Sequence, residues 1–285
     1  MTLPRIASRD EWLSARTALL EKEKALTRAR DDLNRERREL PMVEIAEDYR
    51  FEGAEGEVGL LDLFEGRRQL LVYHFMWLFD EGLGCPSCSF LVDNIGHLSH
   101  LHARGTSLAV VSRGPFAELD AYRRRMDWSM PFYSSYGSSF NYDFHVTLDS
   151  DVAPPEYNYE DRSDDPAYDG WKGELPGTSA FLRDGDRVFH TYSSYARGGD
   201  LQLGTYNWLD LTALGRQEEW EQPPGRSDGP FMTWLRRHDE YEGLPARAPL
   251  ITSARQNPKM STYANTNSVE IHRPESTTFT SSFAS

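Results

Sequence analysis

The chain reads as an α/β protein, a mostly parallel sheet with helices on its faces. Two segments, QLLVYHFMW (69–77) and TSLAVVSRG (106–114), are apolar almost throughout. That is the pattern of strands buried on both sides. Each is followed by a stretch that opens on a proline and carries helical character, about 86–103 after Pro86 and 115–128 after Pro115. Strand, helix, strand, helix in this order calls for parallel pairing with the helices packed against the sheet.

The other elements follow in chain order. Residues 8–40 open on Ser8, a good N-cap, and set Trp12, Leu13, Leu19, Leu20, Leu26 and Leu33 among dense mixed charge before Pro41. This predicts one long helix, serving as a packing or dimerisation arm. In the helix expected from Pro86 to Ala103, Leu91, Ile95 and Leu98 repeat with helical spacing. YDFHVTLD (142–149) is expected to add a strand, and the acidic, tyrosine-bearing stretch 149–169, with Pro154 and Pro155, a long loop. TSAFLRDGDRVFHTYSS (178–194) places two strand-like runs around Asp184-Gly185-Asp186, the strongest hairpin signal in the chain. Helical turns are expected in YNWLDLTALGRQEEW (206–220). The tail beyond Pro223 is polar and proline-rich, and from about Ala246 it reads as disordered. The expected division is a helical arm (1–45), a sheet domain with an insertion (46–222, insertion 149–170) and a partly disordered extension (223–285).

Composition narrows the function. With 285 residues and 39% hydrophobic content the chain can bury a core. A net charge of −14 argues against nucleic acid or an anionic membrane as the main partner, since phosphate binding needs a basic face. No apolar run approaches the roughly 18 residues of a spanning helix, and MTLPRIASRDEW lacks the form of a secretion signal. A cytoplasmic address is the expectation.

The chemistry centres on GCPSCSF (84–90), which holds both cysteines of the chain. A buried strand, a short loop, C-x-x-C and a helix start form an informative order. At the helix N-terminus, free N–H groups favour the Cys85 thiolate, and Cys88 one turn inside can resolve a mixed disulfide. The pair can instead be half of a soft-metal site completed by His145, with His74 and Met76 as weaker ligands that belong to the core. It can also be two inert thiols. His97, His100 and His102 do not share one helix face and read as solvated. Further on, a proline just before an edge strand can lie against a dithiol and offer backbone groups to an extended substrate, which makes Pro176 a candidate. His190, Tyr192, Tyr195 and Arg197 are candidate substrate contacts, or else the polar side of an aromatic edge strand.

YHFMW, GCPSCSF, the FHVTLD region and PGTSAFLRDGDRVFHTYSSYARG together resemble a bacterial family of thioredoxin-like proteins, domain of unknown function 899, described as predicted dithiol-disulfide oxidoreductases. The resemblance spans roughly residues 8–220. It implies a thioredoxin-like central sheet flanked by helices, here with a long N-terminal helix and an acidic insertion. It also implies Cys85 as nucleophile, Cys88 as resolving thiol and Pro176 near the fold's cis-proline. The implied substrate is a small-molecule or protein thiol or disulfide, or a peroxide, with no cofactor required. The chain also resembles thioredoxin-fold copper proteins, with Cys85, Cys88 and His145 imitating their ligands at a narrower cysteine spacing. That alternative implies bound copper.

Overall fold

The Ser8 hydroxyl accepts from the Glu11 N–H at 3.2 Å, and the Glu11 carboxylate accepts from the Ser8 N–H at 2.8 Å. This reciprocal capping box starts helix α1 (Arg9–Glu39), which ends just before Pro41. No α1 residue is buried, and its leucines and Trp12 face outward. The computed structural model describes residues 3–168, 170–227 and 229–241, so the tail expected to be disordered lies outside the described residues.

Beyond α1 come β1 (Val43–Glu44), β2 (Arg50–Gly53), β3 (Gly56–Gly59), β4 (Gln69–His74), β5 (Trp77–Leu78) and β6 (Leu83–Gly84). Next are α2 (Pro86–Asp93), α3 (Ser99–His102), β7 (Thr106–Ser112), α4 (Phe116–Arg125), β8 (Phe132–Ser134) and α5 (Phe140–Asp143). The second half holds β9 (Thr147–Asp149), β10 (Glu156–Tyr157), β11 (Glu160–Asp161), β12 (Lys172–Glu174), β13 (Gly177–Asp184), β14 (Arg187–Tyr195) and α6 (Gly204–Leu209).

Eight strands form one sheet in the order β1-β14-β13-β4-β7-β8-β2-β3. β4 and β7 are parallel, as are β7 and β8, whereas β13 runs antiparallel to both β4 and β14. A β4–α2–β7 crossover beside a β13–β14 hairpin, in the order β7-β4-β13-β14, is the thioredoxin arrangement. The hairpin turns at Gly185-Asp186, with Gly185 at φ +60°, where a side chain would be strained. β4 is buried on both faces. Leu70 and Val72 pack with Phe140, Phe144 and Phe181 in one core, while Tyr73 joins Phe75, Val110, Tyr122, Trp128 and both cysteines in the other.

Five expectations are corrected. The sheet is mixed rather than mostly parallel, because the β13–β14 hairpin and the β2–β3 hairpin add antiparallel strands on either side of β4, β7 and β8. The single helix over 86–103 breaks at Asn94, whose side chain donates to the Phe90 carbonyl (2.7 Å) and accepts from the Thr205 N–H (2.7 Å). A short α3 follows. YDFHVTLD is not one strand: its start closes α5, His145 takes a left-handed φ of 51°, and only Thr147–Asp149 is extended, paired with β12 outside the main sheet. The acidic insertion is not simply loop, because it forms the β10–β11 hairpin and buries Tyr157 and Tyr168 in the core. Finally, β13 is no edge strand, since β4 and β14 flank it.

Candidate active site

The loop after β4 folds back as the β5–β6 ribbon, Trp77 opposite Gly84, and delivers Cys85 to the start of α2. The Cys85 N–H donates to the Met76 carbonyl at 3.1 Å. Cys85 is the N-cap, extended at φ −61° and ψ 135°, and Pro86 takes the first helical position. Two further elements hold this corner. The Ser89 hydroxyl donates to the Cys85 carbonyl (2.8 Å) and meets the Tyr122 hydroxyl (2.8 Å). Arg237 donates from Nε and Nη2 to the Gly84 carbonyl, at 3.0 and 2.8 Å. Ser89 is thus a buried brace.

Both thiols are reduced and nearly buried, Cys85 at 4% and Cys88 at 1% exposure. Cys85 Sγ lies 3.1 Å from the Ser87 hydroxyl, and Cys88 Sγ accepts from the Met76 N–H at 3.4 Å. Tyr73 packs in the same core as Cys88 and acts to lower that thiol's pKa. Burial and the interaction between the two sulfurs drive their acidities apart, while Tyr73 and the Met76 N–H act the other way on Cys88. A hydrogen bond from Cys88, aided by Ser87 and by backbone N–H groups, overcomes burial and lowers Cys85 to about 6. Burial, then the neighbouring Cys85 sulfur, raises Cys88. At neutral pH Cys85 carries the charge and Cys88 the proton.

A cavity of about 120 Å³ opens against this corner. Ser87, Tyr73 and Leu91 form its wall on the dithiol side, and Tyr157, Pro176 and Tyr195 another. Tyr206, Phe231 and Met232, from the segment after the sheet, close it. Of the residues singled out in the sequence, Pro176, Tyr195 and Arg197 therefore meet beside the dithiol. The Leu175–Pro176 peptide is trans, Gln222–Pro223 being the cis bond among the described residues.

The remaining candidates lie elsewhere. His190 belongs to a chain of contacts across three strands, His190–Ser193–Ser179–His74, each step 2.8 Å. His74 and Met76 are buried in the core as expected. Tyr192 stacks under Arg37 of α1, 4.7 Å from ring centre to guanidinium. His145 sits 3.8 Å from Glu156, and its neighbours Phe144 and Val146 pack in the core opposite the one that holds the cysteines. Cys85, Cys88 and His145 do not converge, and among the described residues no three His, Cys, Asp or Glu side chains gather into a metal-binding group. The residues present do not fit a copper site.

Sequence reasoning missed the roles of Tyr73, Tyr157, Tyr206 and Arg237. Tyr73 lies inside the strand already singled out, and its alternation with His74 is the signal that one of the two must face the dithiol. For Arg237, nothing local points 153 residues back to Gly84.

The family model for a bacterial protein of unknown function, DUF899, matches residues 1–241. The chain belongs to this family. The matched region includes the dithiol, the walls of the cavity and the Arg237 contact. No curated protein matches the chain. Among solved structures, peroxiredoxin Q from Xanthomonas campestris is 13% identical with a TM-score of 0.41, covering 59% of this chain and 98% of that one. Peroxidoxin BcpB from Mycobacterium tuberculosis is 14% identical with a TM-score of 0.39, covering 58% and 95%. Peroxiredoxin 6 from Arenicola marina is 11% identical with a TM-score of 0.39, covering 63% and 76%. Among the described residues of this DUF899 chain, no helix is long and apolar enough to cross a membrane.

One carboxyl of this DUF899 chain lies next to the active-site loop. Glu174 Oε2 accepts from the Trp77 N–H at 2.9 Å, one residue from the N–H that serves Cys88. Its Oε1 is buried beside the Thr147 hydroxyl. Burial raises this carboxyl from its ordinary 4.5 to about 7. A group neutral in the fold but charged in the unfolded chain costs nothing below the unfolded value. Its cost grows through this interval and is complete above about 7. Glu174→Gln keeps the acceptor for Trp77 and removes that cost. The expected gain is about 1–2 kcal/mol at pH 8 and none at pH 4, less than the full shift because the amide brings its own unpaired N–H groups. Thermal unfolding of both proteins across that pH range checks it.

Proposed function

We propose that this chain is a thiol–disulfide oxidoreductase that works through Cys85 and Cys88 on a thiol, disulfide or peroxide substrate. The observation that carries the reading is the placing of two adjacent thiols at a helix start, Cys85 as the N-cap beside the Ser87 hydroxyl and Cys88 one turn inside, an arrangement that lowers the first thiol and leaves the second protonated. With a disulfide substrate, the Cys85 thiolate attacks one sulfur, the substrate S–S bond breaks, and the other half leaves as a thiolate. Forming that Cys85 mixed disulfide removes the negative charge beside Cys88, so its proton is released more readily. The Cys88 thiolate then attacks Cys85 Sγ, closing the internal disulfide and expelling the second half. An external dithiol reductant restores the pair.

Replacing the resolving thiol tests the order of events. Cys88→Ser is expected to accumulate a mixed disulfide on Cys85 that intact-protein mass spectrometry detects and that added dithiol removes. A Cys88→Ser protein that turns over at the wild-type rate, with no adduct, refutes the assignment of Cys88.

A further inference from the structure

The backbone next to the dithiol is already occupied. The Leu175 N–H donates to the Val146 carbonyl at 2.8 Å, and the Pro176 carbonyl accepts from the Tyr157 hydroxyl at 2.8 Å. Just upstream, β12 is paired with β9, and just downstream β13 is paired on both sides. An extended polypeptide that docks by adding a strand needs free N–H and C=O groups on such a segment, and here the Leu175 N–H and the Pro176 carbonyl are used within the chain. With both sulfurs nearly buried, a protein disulfide has no ledge on which to lie.

The cavity beside the dithiol is small and mostly apolar. Tyr73, Leu91, Tyr157, Tyr206, Phe231 and Met232 dominate its wall. The charged groups at its border are engaged elsewhere. Asp200 accepts two hydrogen bonds from Arg216, at 2.6 and 3.0 Å, and the Arg197 guanidinium lies over the Trp220 ring at 4.2 Å. An ammonium group entering here would shed water and find Asp200 already paired with Arg216, and a carboxylate would have to draw Arg197 off the Trp220 ring. At about 120 Å³ the space approaches that of apolar cavities of about 150 Å³ that hold benzene.

We infer that the substrate is a small disulfide with an uncharged hydrophobic arm, aromatic or branched and of roughly benzene size, which occupies this cavity. The inference rests on the dithiol reading and supplies its substrate class. The arm sits against Tyr206 and Met232, and its sulfur is presented past Ser87 to Cys85. Cys85 bonds to that sulfur and the other half of the disulfide leaves to solvent as a thiolate. Attack by Cys88 then releases the hydrophobic thiol from the cavity. Two electrons pass from the protein dithiol to the substrate, and two thiols are the products once protons are taken up.

A single-turnover comparison on the full chain tests this. The pre-reduced protein, freed of reductant, is mixed with dibenzyl disulfide, with the cationic disulfide cystamine, with the anionic dithiodiglycolate, with insulin, and with cumene hydroperoxide. Formation of the Cys85–Cys88 disulfide is followed by the loss of two titratable thiols. Each disulfide rate is divided by the rate of the same disulfide with free dithiothreitol. Dibenzyl disulfide is expected to exceed both charged disulfides and insulin by at least about tenfold. In Met232→Trp, which fills the cavity, that ratio is expected to fall toward one. Equal normalised rates for the charged disulfides or insulin overturn the substrate class and leave the dithiol reading standing, as does a ratio unchanged in Met232→Trp. Oxidation by cumene hydroperoxide outpacing dibenzyl disulfide overturns the choice of a disulfide. If no compound oxidises the pair, both this inference and the dithiol reading fail.

Discussion

Cys85→Ser removes disulfide-reducing turnover by a factor on the order of a thousand or more, the scale on which loss of a covalent nucleophile acts. A serine hydroxyl at this N-cap is not ionised near neutral pH. The contacts that lower the Cys85 thiol, chiefly the Cys88 hydrogen bond with help from Ser87, then have no anion to stabilise. The N-cap backbone still tolerates serine, a residue well suited to that position, so the fold is expected to persist. The same thiolate has a second signature in the wild-type protein. Alkylation of Cys85 by iodoacetamide should rise with pH through about 6, whereas an ordinary thiol responds well above 7. Full turnover in Cys85→Ser, measured with saturating reductant, would remove the central residue of the proposed mechanism.

Gly84→Ala is expected to cost about 3 kcal/mol, and with it the geometry of the dithiol. A Cβ at this position would lie 2.5 Å from the ring ends of both Phe75 and Tyr122, which are themselves packed in the core that holds the cysteines. Neither ring can retreat freely. Phe75 is wedged against Trp128 and Phe132, and the Tyr122 hydroxyl is held by Ser89 and Arg237. Relief therefore falls on the backbone that carries Cys85 and on the carbonyl to which Arg237 is bound. Thermal unfolding should show a fall of roughly 2–4 °C for each kcal/mol in a chain of this size. Gly96→Ala is the control, because its Cβ would meet nothing within 4 Å and its backbone is not left-handed. Equal melting temperatures for the two variants would show that the corner is looser than its packing indicates.

Much of the fold was legible because it is encoded between near neighbours. The Ser8 N-cap, the apolar run of β4, the turn at Gly185 and the proline after Cys85 each act within a few residues. Where local signals misled, a distant contact won. The helix expected through Ala103 stops where Asn94 is claimed by Thr205, and the strand expected at His145 gives way to a turn. The acidic stretch drawn as a loop is ordered by tyrosines that find a core to enter. The site divided in the same way. Pro176, Tyr195 and Arg197, which line one cavity, could be singled out as candidates in advance, whereas the packing of Tyr73 with Cys88 could not.

The sequence by itself therefore determined the α/β class, the thioredoxin-like order of elements and the placing of a dithiol at a helix start. Hydrophobic period, capping and turn chemistry are short-range properties and are written in adjacent residues. Only the tertiary structure decided that His145 lies part-exposed beside Glu156 and away from the cysteines, that Val146 and Tyr157 occupy the backbone beside Pro176, and that Tyr206 and Met232 close an apolar cavity. Those outcomes depend on which of many distant apolar and hydrogen-bonding groups can be satisfied at once, a condition met only by the packed chain as a whole.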